Sequence, residues 1–158
     1  MPPRVVELPA LHLVGARRLF ALPEIKEIPS LWGQFIPRLG EIQGRKGMVT
    51  YGTCIAATDA GGKPVLEYSA AVEVEKPGRA PDGLVAFTLA PGFYAVFTHE
   101  GHIRDIGKTW DSIWHTRMKE AGLAHRSAHD FERYDDRWNP GTGEGPVDIY
   151  IAIERAPN

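Results

Sequence analysis

The chain is poor in sulfur chemistry and has no long apolar stretch. Cys54 is the one cysteine among 158 residues, which excludes an intramolecular disulfide and any multi-cysteine zinc or iron–sulfur site. No run of about 18 apolar residues is there to span a bilayer. The start, Met1-Pro2-Pro3-Arg4, lacks the apolar core of a signal peptide. A reducing, cytoplasmic location is the expectation. A surplus of one charge is missing too: 18 Lys and Arg against 20 Asp and Glu leave a formal charge of −2. Domains that bind nucleic acid normally carry a basic face to displace counterions from phosphates. Neither nucleic acid nor a membrane is therefore expected as a direct partner.

What is abundant is glycine and proline, 17 and 13 residues. They interrupt hydrophobic stretches and so punctuate short elements. Residues 4–19, apolar and β-branched but broken at Pro9, predict one kinked strand. Ile25, Ile28, Trp32, Phe35, Leu39 and Ile42 then recur at three and four residues, one helical face interrupted by Pro29 and Pro37 and ended by Gly44 and Gly47. Stretches 48–58 and 65–75 predict strands around the turn Asp59-Ala-Gly-Gly-Lys63. After a Pro- and Gly-rich connector at 76–83, residues 84–100 return to strand character with a break at Pro91-Gly92. Ile103, Ile106, Trp110, Ile113, Trp114 and Ala121 form a second helical face, stopped by Gly122. Two last strands are predicted over 130–136 and 147–154, around a polar loop at 137–146.

The order β-α-β-β, connector, β-α-β-β is that of an internal repeat. Ile28-Pro-Ser-Leu-Trp32 matches Ile106-Gly-Lys-Thr-Trp110, and Gly44 falls on Gly122 at the same offset. AVEVEKP at 71–77 matches YIAIERAP at 150–157, and LPALHLV at 8–14 matches APGFYAV at 90–96. The expected architecture is α+β: one domain over 1–158 built from a tandem β-α-β-β repeat, the first copy over about 4–77 and the second over about 84–155. The copies would pair in one antiparallel sheet, with two helices on one side and a central pocket where they meet, the usual place for a small ligand.

The run Tyr94-Ala-Val-Phe-Thr-His99-Glu-Gly101, the helix bearing Thr109-Trp110 and Trp114, then Phe131-Glu132-Arg133-Tyr134 and Asp148-Ile-Tyr150-Ile-Ala-Ile153 carry a resemblance over essentially the whole chain. With them the sequence resembles the GyrI-like small-molecule-binding family. That family includes effector-binding domains of MerR-type and AraC-type transcription activators and stand-alone gyrase-inhibitory proteins. The resemblance implies two SHS2-type modules around a pocket for hydrophobic, often cationic molecules, with no cofactor. It implies that Glu132 engages the cation and that Asp148 occupies a second acidic position. Asp148 is a methylene shorter than the family's glutamate, Ala152 replaces a proline, and His102-Ile103 stands where the family often has Pro-Tyr. The family's DNA-binding helix-turn-helix is not expected here, because Met1 begins almost on the first strand. Some stand-alone members hydrolyse electrophilic cyclopropane-containing natural products. The alternative to a binder is therefore a hydrolase, with Glu132 directing water and Tyr134 or Tyr150 as acid or orienter. A third reading is an interaction protein that modulates a topoisomerase or a regulator, through a protein partner or as a homodimer.

From the residues alone, strand alternation places Asp130, Glu132 and Tyr134 on one face and Phe131, Arg133 and Asp135 on the other. Glu132 then reads either as part of a solvated face or as a pocket carboxylate. Trp110 and Trp114, with Trp32 at the equivalent place in the first repeat, read as core or as pocket wall. Trp110 and Trp32 are the candidate walls, tryptophan being the best cation–π partner. Tyr68 and Tyr150 hold near-matching positions in the third strand of each repeat and complete the candidate contacts. His99 and His102, and His125 and His129, loosely resemble ligand pairs, but strand-end and turn positions do not align them, so they read as surface residues and no metal is expected, with a base at the pocket mouth the alternative for His129 and His99. Gly141-Thr-Gly143-Glu-Gly145 opens a strand without a following lysine or helix, and Glu144 would repel phosphate, so it reads as a flexible loop. Cys54 reads as a small buried hydrophobe.

Overall fold

Two prolines decide where strands end. Where the sequence predicts one kinked strand over 4–19, the computed structural model, which describes residues 2–155, has β1 (Arg4–Leu8) and β2 (Leu11–Ala21). Proline has no N–H to give a ladder, and here Pro9 separates strands with different partners. β5 (Val85–Leu89) and β6 (Gly92–His99) flank Pro91 in the same way. β1 pairs with β6, from Arg4 opposite Val96 to Leu8 opposite Gly92. β2 pairs instead with β5 and with β4 (Pro64–Val74). The two breaks coincide with the boundaries of two compact units, one of Leu11–Leu89, the other of the residues up to Ala10 and from Ala90 onward.

In the Leu11–Leu89 unit, β3 (Arg45–Thr58), β4, β2 and β5 lie in that order, all antiparallel. Helix α1 (Ile28–Phe35) packs on one face. It is shorter than the face predicted over 25–42, because Leu22–Glu27 and Ile36–Glu41 are 3-10 turns. Pro29 and Pro37 each open a turn, the position where a missing N–H costs nothing. Val14, Phe20, Leu31, Phe35, Tyr68, Ala70 and Val72 form the core.

In the other unit the order is β1, β6, β8 (Val147–Ile153) and β7 (Asp130–Tyr134), again all antiparallel. Helix α2 (Ile106–Ser112) runs through a π-turn at Ile113–Arg117 into α3 (Met118–Glu120). It ends at Gly122, whose φ of +67° is the left-handed cap that glycine takes without strain. Phe97, Ile113, Met118, Ile149, Ile151 and Ile153 are buried together, with Trp110 packed against them. Each such fully buried side chain contributes roughly 1.5–3 kcal/mol.

The fold is α+β, and each unit sets a helix on one face of an antiparallel sheet. The matched motifs open the equivalent helices, α1 at Ile28 and α2 at Ile106. Ala156 and Pro157, the end of the match at 150–157, lie outside the described residues. Among the described residues no helix is long and apolar enough to cross a membrane.

Candidate functional site

On β7, Glu132 stands opposite Ile149 of β8. Ile149 belongs with Ile151 and Ile153 to the core beneath α2, so Glu132 projects on the helix side of the sheet. It is 6% exposed, which excludes the solvated-face reading. The indole N–H of Trp110 donates to Oε2 at 2.8 Å, and the Tyr134 hydroxyl donates to Oε1 at 2.8 Å. Glutamate is almost never buried unless paired. Hydrogen bonds to a charged acceptor contribute about 1.5–3 kcal/mol each and offset its desolvation. Alternation places Tyr134 on the Glu132 face, and Trp110 reaches it because α2 lies across that face. Trp138, just after β7, meets the Tyr134 ring edge to face at 5.0 Å.

One turn along the helix, Trp114 stacks on Trp110, with ring centroids 6.4 Å apart and planes at 23°. Trp114 remains 42% exposed. Its other neighbour is the His125 ring, edge-on at 5.0 Å. His125 Nε2 lies 3.0 Å from Oδ2 of the buried Asp130, whose Oδ1 also accepts from the Ala152 N–H at 2.8 Å. The Asp130 hydrogen bond raises the His125 pKa, with burial opposing. Burial pushes the Asp130 carboxyl up, with His125 pulling it down.

The Leu11–Leu89 unit contains a parallel pair. Trp32 donates its indole N–H to the Tyr68 hydroxyl at 3.0 Å, and Tyr68 faces the α1 core. Cys54 is the register partner of Tyr68 and packs on that core, half-buried. Each unit thus places a helical tryptophan over a polar group on its sheet, Glu132 in one and Tyr68 in the other.

The other two candidates face away from Glu132. Asp148 pairs in register with Arg133, and Tyr150 with Phe131, on the opposite face of β7 and β8. Tyr150 stacks on Phe131 at 4.6 Å and 9°, and burial raises its phenol pKa. Asp148 accepts from Thr98 at 2.8 Å and from Arg137 at 2.7 Å, with Arg4 at 3.8 Å. The expected equivalence of Tyr68 and Tyr150 is corrected here: one faces its helix and the other does not, because a one-residue slip along a strand reverses the face.

The reading of all four histidines as surface residues is corrected at His99, which is 3% exposed. Its Nε2 donates to the His102 carbonyl at 2.9 Å, and its Nδ1 lies 2.7 Å from Thr109 Oγ1. It ties the end of β6 to α2. Among the described residues no three metal-binding side chains converge. The loop read as flexible is tied down: the Gly143 carbonyl accepts from Ile103 N–H at 2.8 Å, and Asn139 N–H donates to the Glu144 carbonyl at 2.8 Å. Sequence reasoning placed Trp114 on the aromatic stripe without making it a candidate wall, and it missed His125, Asp130 and Trp138 as neighbours of the site. Alternation carried a signal for Asp130; His125 meets it across a turn and carried none.

Comparison with known proteins adds a family to this geometry. A model of the GyrI-like small molecule binding domain matches residues 1–154. Transcriptional regulator BrlR of Pseudomonas aeruginosa is 37% identical over 155 residues, which are 97% of this chain and 56% of that protein. The chain thus spans about half the length of that curated relative. The structure of SAV2435 bound to tetraphenylphosphonium superposes with a TM-score of 0.74 at 19% identity, covering 98% of this chain and 94% of that one. An integron cassette protein from the mobile metagenome of Vibrio cholerae gives a TM-score of 0.70 at 16% identity, covering 98% and 97%. At these identities the structural likeness is one of fold. The family match runs over nearly the whole sequence, and the chain belongs to the GyrI-like small-molecule-binding domain family.

Proposed function

We propose that this small-molecule-binding domain takes hydrophobic ligands that carry a positive charge or an electrophilic centre, with Glu132 as the anchor. The observation that carries the reading is a carboxylate 6% exposed and held from both sides by Trp110 and Tyr134. A fixed negative charge set among indole and phenol rings suits an organic cation. The rings supply apolar contact and cation–π attraction of about 0.5–2 kcal/mol each, and the carboxylate supplies the orientation. Trp110 is the aromatic contact beside Glu132 in this reading, and Trp32 with Tyr68 forms the corresponding pair of the Leu11–Leu89 unit. Tyr150 and Asp148, which face away from Glu132, act in it through the sheet that positions β7. The relative solved with tetraphenylphosphonium supports that cation as a probe.

Calorimetric titration with tetraphenylphosphonium and with neutral triphenylphosphine oxide tests the anchor. Glu132→Gln is expected to weaken the cation about tenfold to a hundredfold, through loss of the Coulombic attraction between carboxylate and phosphonium, and to leave the neutral compound within about threefold. Equal affinity of both proteins for the cation rules Glu132 out.

The Tyr134 hydroxyl on the Glu132 carboxylate favours a second reading, hydrolysis of a cyclopropane-type electrophile. Glu132 would take a proton from water as the water oxygen bonds to a ring carbon. The ring C–C electron pair would move onto the conjugated acceptor, which the proton then reaches, and Tyr134 would hold the carboxylate in place. Product accumulating beyond one equivalent of protein marks an enzyme; sequestration at one equivalent marks a binder.

A further inference from the structure

Two residues before Glu132 on β7 stands a second buried carboxylate, Asp130. Two residues of strand span about 7 Å along one face. Asp130 is 5% exposed and accepts the Ala152 N–H at 2.8 Å. Its counter-charge is His125, whose Nε2 lies 3.1 Å from one carboxylate oxygen and 3.0 Å from the other. The His125 side chain is 39% exposed, so the ring exchanges protons with water while the carboxylate stays enclosed. The same ring meets Trp114 edge-on, Trp114 stacks on Trp110, and Trp110 bonds Glu132. The pair is thus joined to Glu132 through the strand and through the helix.

One proton changes the charge of this pair. With His125 protonated, imidazolium and carboxylate cancel. With His125 neutral, Asp130 leaves one net negative charge about 7 Å from Glu132 along the strand, a separation at which salt screens a buried charge only weakly. The other groups facing the pair come from four elements. The turn before β7 brings Arg126, which opposes protonation of His125, and His129, which favours ionised Asp130. β6 brings the Tyr94 phenol, β8 the Ala152 N–H, and the helix the uncharged Trp114. We propose that the His125–Asp130 pair is a proton-operated control on the Glu132 site: loss of the His125 proton strengthens the binding of a cation, and a bound cation expels that proton. By linkage the two effects are equal in size. The proposal rests on Glu132 being the anchor, and it adds the regulation of that site.

Tetraphenylphosphonium has no proton to lose, so its titration at two pH values reads the protein alone. It is titrated at about pH 6 and about pH 8.5, each in two buffers of different ionisation enthalpy, which counts the protons released. Wild type is expected to bind about threefold to tenfold tighter at the higher pH and to release part of a proton on binding at the lower one. His125→Gln, whose amide still donates to Asp130, is expected to bind at pH 6 as tightly as wild type does at pH 8.5. A merely structural role for His125 would instead weaken binding at both. His129→Gln is expected to keep the wild-type response. If wild type shows no pH response, if His125→Gln keeps that response or binds more weakly at both pH values, or if His129→Gln abolishes it, the control is wrong; Glu132→Gln, weaker at both, then leaves the anchor standing. If wild type does not bind the cation, or Glu132→Gln does not weaken it, the anchor falls and the control falls with it.

Discussion

At the scale of the residue, the account turns on a carboxylate that is buried by being bonded. Glu132 avoids the cost of an unpaired buried charge through Trp110 and Tyr134. Tyr134→Phe removes one donor and leaves the ring. The expected loss is about 1.5–3 kcal/mol, seen as a thermal midpoint lower by several degrees; an unchanged midpoint would mean that the carboxylate draws little from the phenol. His125 gives the pH dependence. Asp130 raises its pKa above the ordinary 6.5 of imidazole. Its contribution to stability is therefore fully present below that value and fades as the pH rises through the higher folded value. The nearby charges are Asp130, Arg126 and His129, with Arg126 opposing the rise. His125→Gln is expected to lower the thermal midpoint more at about pH 5.5 than at about pH 8.5. An equal drop at both would show that the pair is not charged when folded.

At the scale of the element, legibility followed periodicity. Alternation along 130–136 put Glu132 and Tyr134 on one face, and the structure keeps them there. The Ile-x-x-x-Trp motifs opened α1 and α2 as matched. Periodicity could not reveal that Pro9 splits a run of strand-forming residues between two partners, because pairing is decided by residues far away in the chain. Nor could it reveal that Tyr150 faces away from the helix, since near-matching repeats leave a one-residue slip undetermined. The His125–Asp130 contact crosses a turn and has no period to read, whereas the four-residue spacing of Trp110 and Trp114 already put both on one helical face. Helix α2 hangs on His99, which bonds Thr109 and the His102 carbonyl. His99→Ala leaves those two groups without their partner and opens a cavity. It is expected to cost about 2–4 kcal/mol and to weaken tetraphenylphosphonium through Trp110. Retained stability in chemical denaturation would show that the end of β6 is held by other means.

At the scale of the whole molecule, composition bounded the chemistry and the repeat arranged it. A near-neutral chain with one cysteine left few catalytic options beyond carboxylates, hydroxyls and rings, and the structure sets such groups against the helix of each unit. The two sets differ. Trp32 donates to a phenol hydroxyl and Trp110 to a carboxyl group. The central claim is that Glu132 meets the positive centre of the ligand. A crystal structure of the chain soaked with tetraphenylphosphonium tests it most directly. The account predicts the phosphonium beside the Glu132 carboxylate with a phenyl ring against Trp110; a cation bound elsewhere, with the Trp110–Glu132–Tyr134 hydrogen bonds unchanged and no ligand density against them, would contradict it.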